Sequence, residues 1–217
     1  MPLRTNQRAE PRWPAALALI AVGCLHFGLP SYLTPGPDWL LLAVVVVLLI
    51  PAMIAHRRGL HGLNQKLGYV MLAVVTVEVI ASLALLIARL PAHKDEPKTL
   101  LLAAAGLWIS NLLVFASWYW RLDAGGPNER AIRGTHTGGA FLFPQMFLDP
   151  DLKAQMGDAD WSPGFVDYLF LAFNTSTAFS PTDVPVLTRW AKLTMMVQSL
   201  ISLTTVVLLA ARAVNIL

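Results

Sequence analysis

The chain has 217 residues, 56% of them hydrophobic and only 13% charged, with a formal net charge of +3 and a mean hydropathy of +0.58. A soluble domain is nearer a quarter charged, so this composition excludes an ordinary soluble protein and points to an integral membrane protein. Arg and Lys gather at the ends of apolar runs, so the basic excess reads as membrane topology and not as nucleic-acid binding.

The first apolar run covers 13–33, with Pro14 at its entrance and Pro30 near its exit. It holds Cys24, the sole cysteine, so no intrachain disulfide forms. It also holds His26, which reads as a structural hydrogen-bonder. No convincing small-residue cleavage pattern follows, so the run reads as a retained span and not a removed signal peptide. The second run, 39–55, ends at His56, Arg57 and Arg58. The third, 67–90, carries Glu78 at its middle. An ionisable group at bilayer depth costs about 2.5–3.5 kcal/mol or more and is a functional hypothesis by default. It reads either as a proton- or cation-handling group or as a structural acid bonded to His26 or Asn111. The fourth run, 100–120, closes on Trp118, Tyr119 and Trp120 beside Arg121, the pattern of an interfacial aromatic belt. Short loops make these four spans antiparallel neighbours.

A hydrophilic linker, 122–164, follows, rich in Gly, Asp and Pro. Its one apolar island is Phe141-Leu142-Phe143-Pro144, and His136 stands in it with no visible partner. The segment 165–179 then begins as a membrane helix and stops being one. Residues 165–173 are almost wholly apolar, but Asn174, Thr175, Ser176 and Thr177 come next, and Ser180, Pro181, Thr182 and Asp183 soon after. Crossing the hydrocarbon core takes about 20 apolar residues. Non-helical backbone at that depth survives only where protein or a watery cavity satisfies it. The segment therefore reads as a re-entrant helix, with Asp167 stabilising its first turn. The last run, 190–217, carries a polar stripe of Thr194, Gln198, Ser202, Thr205 and Arg212 at helical spacing. The stripe reads either as a pore lining or as interhelical hydrogen bonding.

Basic residues near span ends set orientation. Arg4, Arg8 and Arg12 precede the first span, Arg57, Arg58 and Lys66 sit in the second loop, and Arg89, Lys94 and Lys98 in the third. A cytoplasmic N-terminus puts six of these nine charges inside. The linker then lies in the cytoplasm and the re-entrant segment enters from there.

Hydroxyl, amide and freed carbonyl oxygens at Asn174, Thr175, Ser176 and Thr177 suit hard cations. Asp183 would concentrate cations at the mouth. The alternative is a capping and turn device. No metal-ligand spacing, cofactor motif, phosphate loop or nucleophile–base arrangement stands out, so neither cofactor, metal nor enzymatic activity is expected.

FLFPQM, then FVDYLFLAFNTSTAFSPTDV and a long apolar helix ending ARAVNIL, resemble an uncharacterised family of bacterial multi-span membrane proteins. The same segment resembles the pore loop and inner helix of potassium channels. That resemblance implies that Thr175, Ser176 and Thr177 stand at the filter threonines. Ala178, Phe179 and Ser180 fall where that family has Gly, Tyr and Gly. Asp183 approximates the filter aspartate, with Pro181 and Thr182 extra. The potassium filter needs left-handed backbone, which glycine adopts cheaply, so the resemblance implies pore architecture more than potassium selectivity.

These readings combine into an all-α polytopic bundle of five full spans and one re-entrant helix. Residues 1–121 form a four-span bundle, 122–164 a linker, and 165–217 a pore-like module packed with span 100–120. The expected protein is a cation-preferring, channel-like homo-oligomer in the bacterial inner membrane, tetrameric by analogy. Its partners are the lipid bilayer, other copies of itself and a monovalent cation. A proton-coupled carrier centred on Glu78 is the alternative, and a non-conducting membrane scaffold the third.

Overall fold

The computed structural model describes residues 10–89, 96–157, 161–177 and 184–214. Eight α-helices occur among them: α1 (Trp13–Phe27), α2 (Leu40–Arg57), α3 (His61–Arg89), α4 (Pro97–Leu122), α5 (Pro127–Arg133), α6 (Pro150–Gln155), α7 (Phe165–Thr177) and α8 (Arg189–Val214). The described residues form no named strand, only an isolated bridge between Phe141 and Val186. α2, α3, α4 and α8 are long and apolar enough to cross a membrane. Residues such as Val47, Val70, Val77, Leu193 and Leu200 are exposed on their outer faces. A soluble monomer does not carry apolar surface on this scale, whereas lipid covers it without cost.

α1 is shorter than the 13–33 run suggests. It has 15 residues, about 22 Å at 1.5 Å per residue. Gly28 caps it, and Pro30 adopts extended backbone before a single 3-10 turn at Ser31–Leu33. α3 is longer than expected, starting at His61 and running 29 residues. Its first turns are polar, so hydropathy alone misses them.

α4 is the hub of the bundle, packing on α1, α3, α7 and α8. This placement corrects the aromatic-belt reading of its C-terminal end. Tyr119 and Trp120 are buried, not lipid-facing. The Trp118 indole donates to Thr76 Oγ1 at 2.9 Å and its ring stacks on Tyr69. Arg121 lies flat on α3 because Gly68 has no side chain: a Cβ there would sit 2.0 Å from the guanidinium carbon.

α7 and α8 start at the same end of the bundle and run parallel. Contacts between them keep a nearly constant offset: Gln198 reaches Ala172, and Ser202 reaches Ser176. At their shared starting end the linker clamps the chain before α8. Leu142 N–H donates to Pro185 O at 3.0 Å, and Leu187 N–H to Ala140 O at 2.8 Å. The Phe141 ring meets both Tyr168 of α7 and Trp190 of α8 edge-on. The apolar island of the linker is therefore the wedge between the two helix starts. α7 has 13 residues, about 20 Å, against a hydrocarbon core of about 30 Å.

Candidate functional site

The polar stripe of α8 builds one connected interface with α4 and α7. Gln198, Ser202 and Thr205 have no exposed surface. Gln198 Nε2 donates to the Ala172 carbonyl and to Ser176 Oγ, both at 2.8 Å. Its Oε1 accepts a short hydrogen bond from the Tyr119 hydroxyl. Its own carbonyl accepts from Asn111 Nδ2 at 3.3 Å. Ser202 Oγ donates to the Ser176 carbonyl at 2.8 Å and accepts from the Trp108 indole at 2.9 Å. One residue of α8 thus joins three helices. Of the two sequence readings of the stripe, this geometry is interhelical bonding within the chain. Thr205 returns its hydroxyl to Ile201 O, and the half-exposed Thr194 to Trp190 O, the usual way a hydroxyl is satisfied where water is absent.

The hydroxyl-rich end of α7 is divided by the helical period. Thr175 and Ser176 are buried against α8 and α4, Thr175 bonding back to Leu171 O at 2.7 Å. Asn174 is half-buried and Thr177 exposed, so these two keep surface to offer another molecule. Asp183 lies outside the described residues, as do residues 178–182.

A second polar network closes the starting end of α7. Asp123, fully buried, accepts from Ala140 N–H and from the Tyr168 hydroxyl at 2.8 Å. His136 Nε2 sits 2.8 Å from the same carboxylate, so the histidine read as solitary has a partner. Gly139 permits this approach, since a Cβ there would lie 2.3 Å from His136 Nε2. Burial alone would raise the Asp123 carboxyl. The nearby His136, the Ala140 N–H and the Tyr168 hydroxyl outweigh it and hold the group below the usual carboxylate range. Arg130, also buried, forks onto Glu10 at 2.7 and 2.8 Å and bonds the Asp123 carbonyl at 2.7 Å. Asp167 Oδ2 accepts from Gly164 N–H at 2.8 Å and so orders the entrance to α7.

Away from both networks, His26 Nε2 lies 3.1 Å from Glu78 Oε1 between α1 and α3. Sequence reading named His26 and Asn111 as partners for Glu78; the structure brings His26 to it and uses Asn111 on α8. Among the described residues no group of three or more His, Cys, Asp or Glu stands ready to hold a metal.

Sequence reasoning missed Asp123, Arg130, Glu10 and Trp108, and read Tyr119 as an interfacial anchor where it is a buried hydrogen-bond donor to Gln198. The Gly125-Gly126-Pro127 turn straight after a membrane helix was the available signal for Asp123, because so tight a turn folds the linker back onto the helix end. Comparison with family models, with curated proteins and with solved structures finds no match to the chain.

Proposed function

We propose that this chain is a channel-like, cation-preferring membrane protein that works as a homo-oligomer. In it α7 dips into the bilayer from the side on which α8 begins, and Asn174 and Thr177, the residues at its far end that keep exposed surface, face the path. The observation that carries this reading is the parallel α7–α8 pair with both N-termini at one end, packed on antiparallel α4. A short helix that stops partway, followed by a full helix starting where it started, is the layout of a pore helix and an inner helix. A helix C-terminus carries roughly half a negative charge, so the end of α7 at Thr177 favours a cation nearby. One short helix and one long helix cannot enclose a path alone, and symmetric assembly is the usual solution. Leu193, Met196, Leu200 and Val207 give α8 an exposed apolar face for a second copy. Beside the four membrane-length helices α2, α3, α4 and α8, we take the shorter α1, continued by the Ser31–Leu33 turn, as a fifth span.

Orientation follows from charge. Arg12, Arg57, Arg130, Arg133 and Arg189 lie at the end where α1, α7 and α8 begin, while Arg89 and Lys98 lie at the other. The positive-inside rule makes the first end cytoplasmic, in a bacterial inner membrane.

Two measurements test the reading. In a Cys24→Ala background, cysteines at Gly164 and Arg189 should label from the same side. Labelling from opposite sides would make α7 a crossing helix and remove the pore-loop reading. Purified protein in planar bilayers should pass monovalent cations; silence under all ion substitutions, with the oligomer intact, would leave a scaffold. The His26–Glu78 pair favours a second reading, a proton-coupled carrier, because a carboxylate and an imidazole in contact at membrane depth can exchange a proton.

A further inference from the structure

A cleft of about 310 Å³ opens between α1 and α2 at the end of the bundle that holds Arg12, Arg57 and Arg121. Its space comes from small side chains, since Ala15, Ala16 and Ala52 stand where larger residues would close the helices together. Met71 of α3 and Trp120 of α4 form its floor, and exposed Leu17 and Met53 flank its open side. The wall is apolar and opens sideways, to where acyl chains lie around a membrane protein.

The mouth has the opposite character. Arg12 stands just before α1, Arg57 is the last residue of α2 and Arg121 lies in the last turn of α4, with His56 beside them. The lining contains no carboxylate. Among the described residues, none of these three arginines is in an ion pair. Arg12 bonds the neutral amides of Asn64 and Asn128. Arg121 donates to the Asn64 carbonyl at 3.3 Å and lies over the Trp120 ring, 5.8 Å from its centroid. Glu10, the carboxylate whose charge acts on Arg12, is bonded to Arg130 and Trp120. A sheltered guanidinium ordinarily has an anion. Here Gly68 and Asn64 hold Arg121 in place without supplying one.

We propose that this cleft is a binding site for an anionic phospholipid, with one acyl chain between α1 and α2 and the phosphodiester on Arg12, Arg57 and Arg121. The position fits, because helix ends lie at headgroup depth and basic pockets between membrane helices hold acidic lipid headgroups. The volume falls in the range of sites for small amphiphilic ligands. The site does not depend on conduction, since no residue of α7 or α8 lines it.

The test uses the full chain in nanodiscs of phosphatidylcholine with one-fifth phosphatidylglycerol, followed by native mass spectrometry. One phosphatidylglycerol should stay on the chain under activation that strips phosphatidylcholine. Arg57→Gln with Arg121→Gln should lower its retention about 30-fold, at about fivefold per basic side chain. Arg189→Gln with Lys192→Gln, at the same end but outside the cleft, should leave retention unchanged. Arg57 is exposed, so Arg57→Gln alone keeps the fold and should show the single fivefold step. Ala16→Phe should block retention with every charge in place. Equal retention of both lipids, loss in the Arg189/Lys192 control, or full retention in the Arg57 and Ala16 variants would overturn the proposal. Displacement by glycerol phosphate, which has no acyl chain, would overturn it too, as the mark of a small-anion site.

Discussion

Gln198→Leu should detach α7 from the bundle more effectively than any other single substitution of similar volume. The amide makes three side-chain hydrogen bonds, to Ala172 O, Ser176 Oγ and the Tyr119 hydroxyl, and has no exposed surface. Interhelical hydrogen bonds in membranes contribute about 0.6 kcal/mol each on average, so three give about 2 kcal/mol. The Tyr119 hydroxyl would also be left buried without an acceptor, which adds about 1 kcal/mol or more. Leucine fills nearly the same volume, so no cavity contributes. The expected loss is therefore about 3 kcal/mol. Reversible unfolding in mixed micelles, titrated with denaturing detergent, measures it. A double-mutant cycle supplies the sharper check. Tyr119→Phe removes the orphaned hydroxyl, so the double variant Gln198→Leu/Tyr119→Phe should recover about 1 kcal/mol relative to additivity. A loss under about 0.5 kcal/mol for Gln198→Leu, or strict additivity with Tyr119→Phe, would refute the view that this amide ties the three helices together.

Gly139→Ala should push the His136 ring off Asp123 and cost about 1–2 kcal/mol, because the ring can swing aside and its contact with the carboxylate is lost; in a His136→Ala background the same change should cost much less, since the nearest remaining atom is Asp123 Oδ1 at 3.3 Å. Stability from the Asp123 network should be complete above the ordinary carboxylate value of about 3.9 and be lost as pH falls through the lower folded value. Tryptophan-fluorescence melting should show this acid loss in the wild-type chain and a flatter profile in Asp123→Asn. Glu78→Gln keeps a donor and an acceptor next to His26, so a channel should retain conductance in it, whereas Glu78→Leu should weaken assembly. Conductance or transport abolished in Glu78→Gln, with oligomer and fold intact, would move the carrier reading ahead of the channel.

The sequence by itself determined that the chain is helical and built for a membrane, because that information is local. Apolar runs of about 17 residues or more have one stable form in lipid, a helix that satisfies its own backbone. It also marked 165–179 as a helical segment whose apolar stretch gives way to polar residues at Asn174, and the structure shows a helix over Phe165–Thr177. The close of α1 was misjudged, because hydropathy continues through Leu29 and Leu33 while Gly28 and Pro30 end the helix. Tertiary structure alone decided which way each polar side chain faces. Helical spacing places Gln198, Ser202 and Thr205 on one stripe, but a pore lining and a helix–helix seam have the same period. Only the packing of α4 and α7 onto that stripe distinguishes them. The same holds for Tyr119 and Trp120, whose amphipathic rings suit a lipid interface until α4 becomes the hub and encloses them. The Asp123 network needed the fold most, since its residues lie in the N-terminal tail, the linker and α7. Nothing local announces that a glycine at 139 makes room for a histidine three residues earlier.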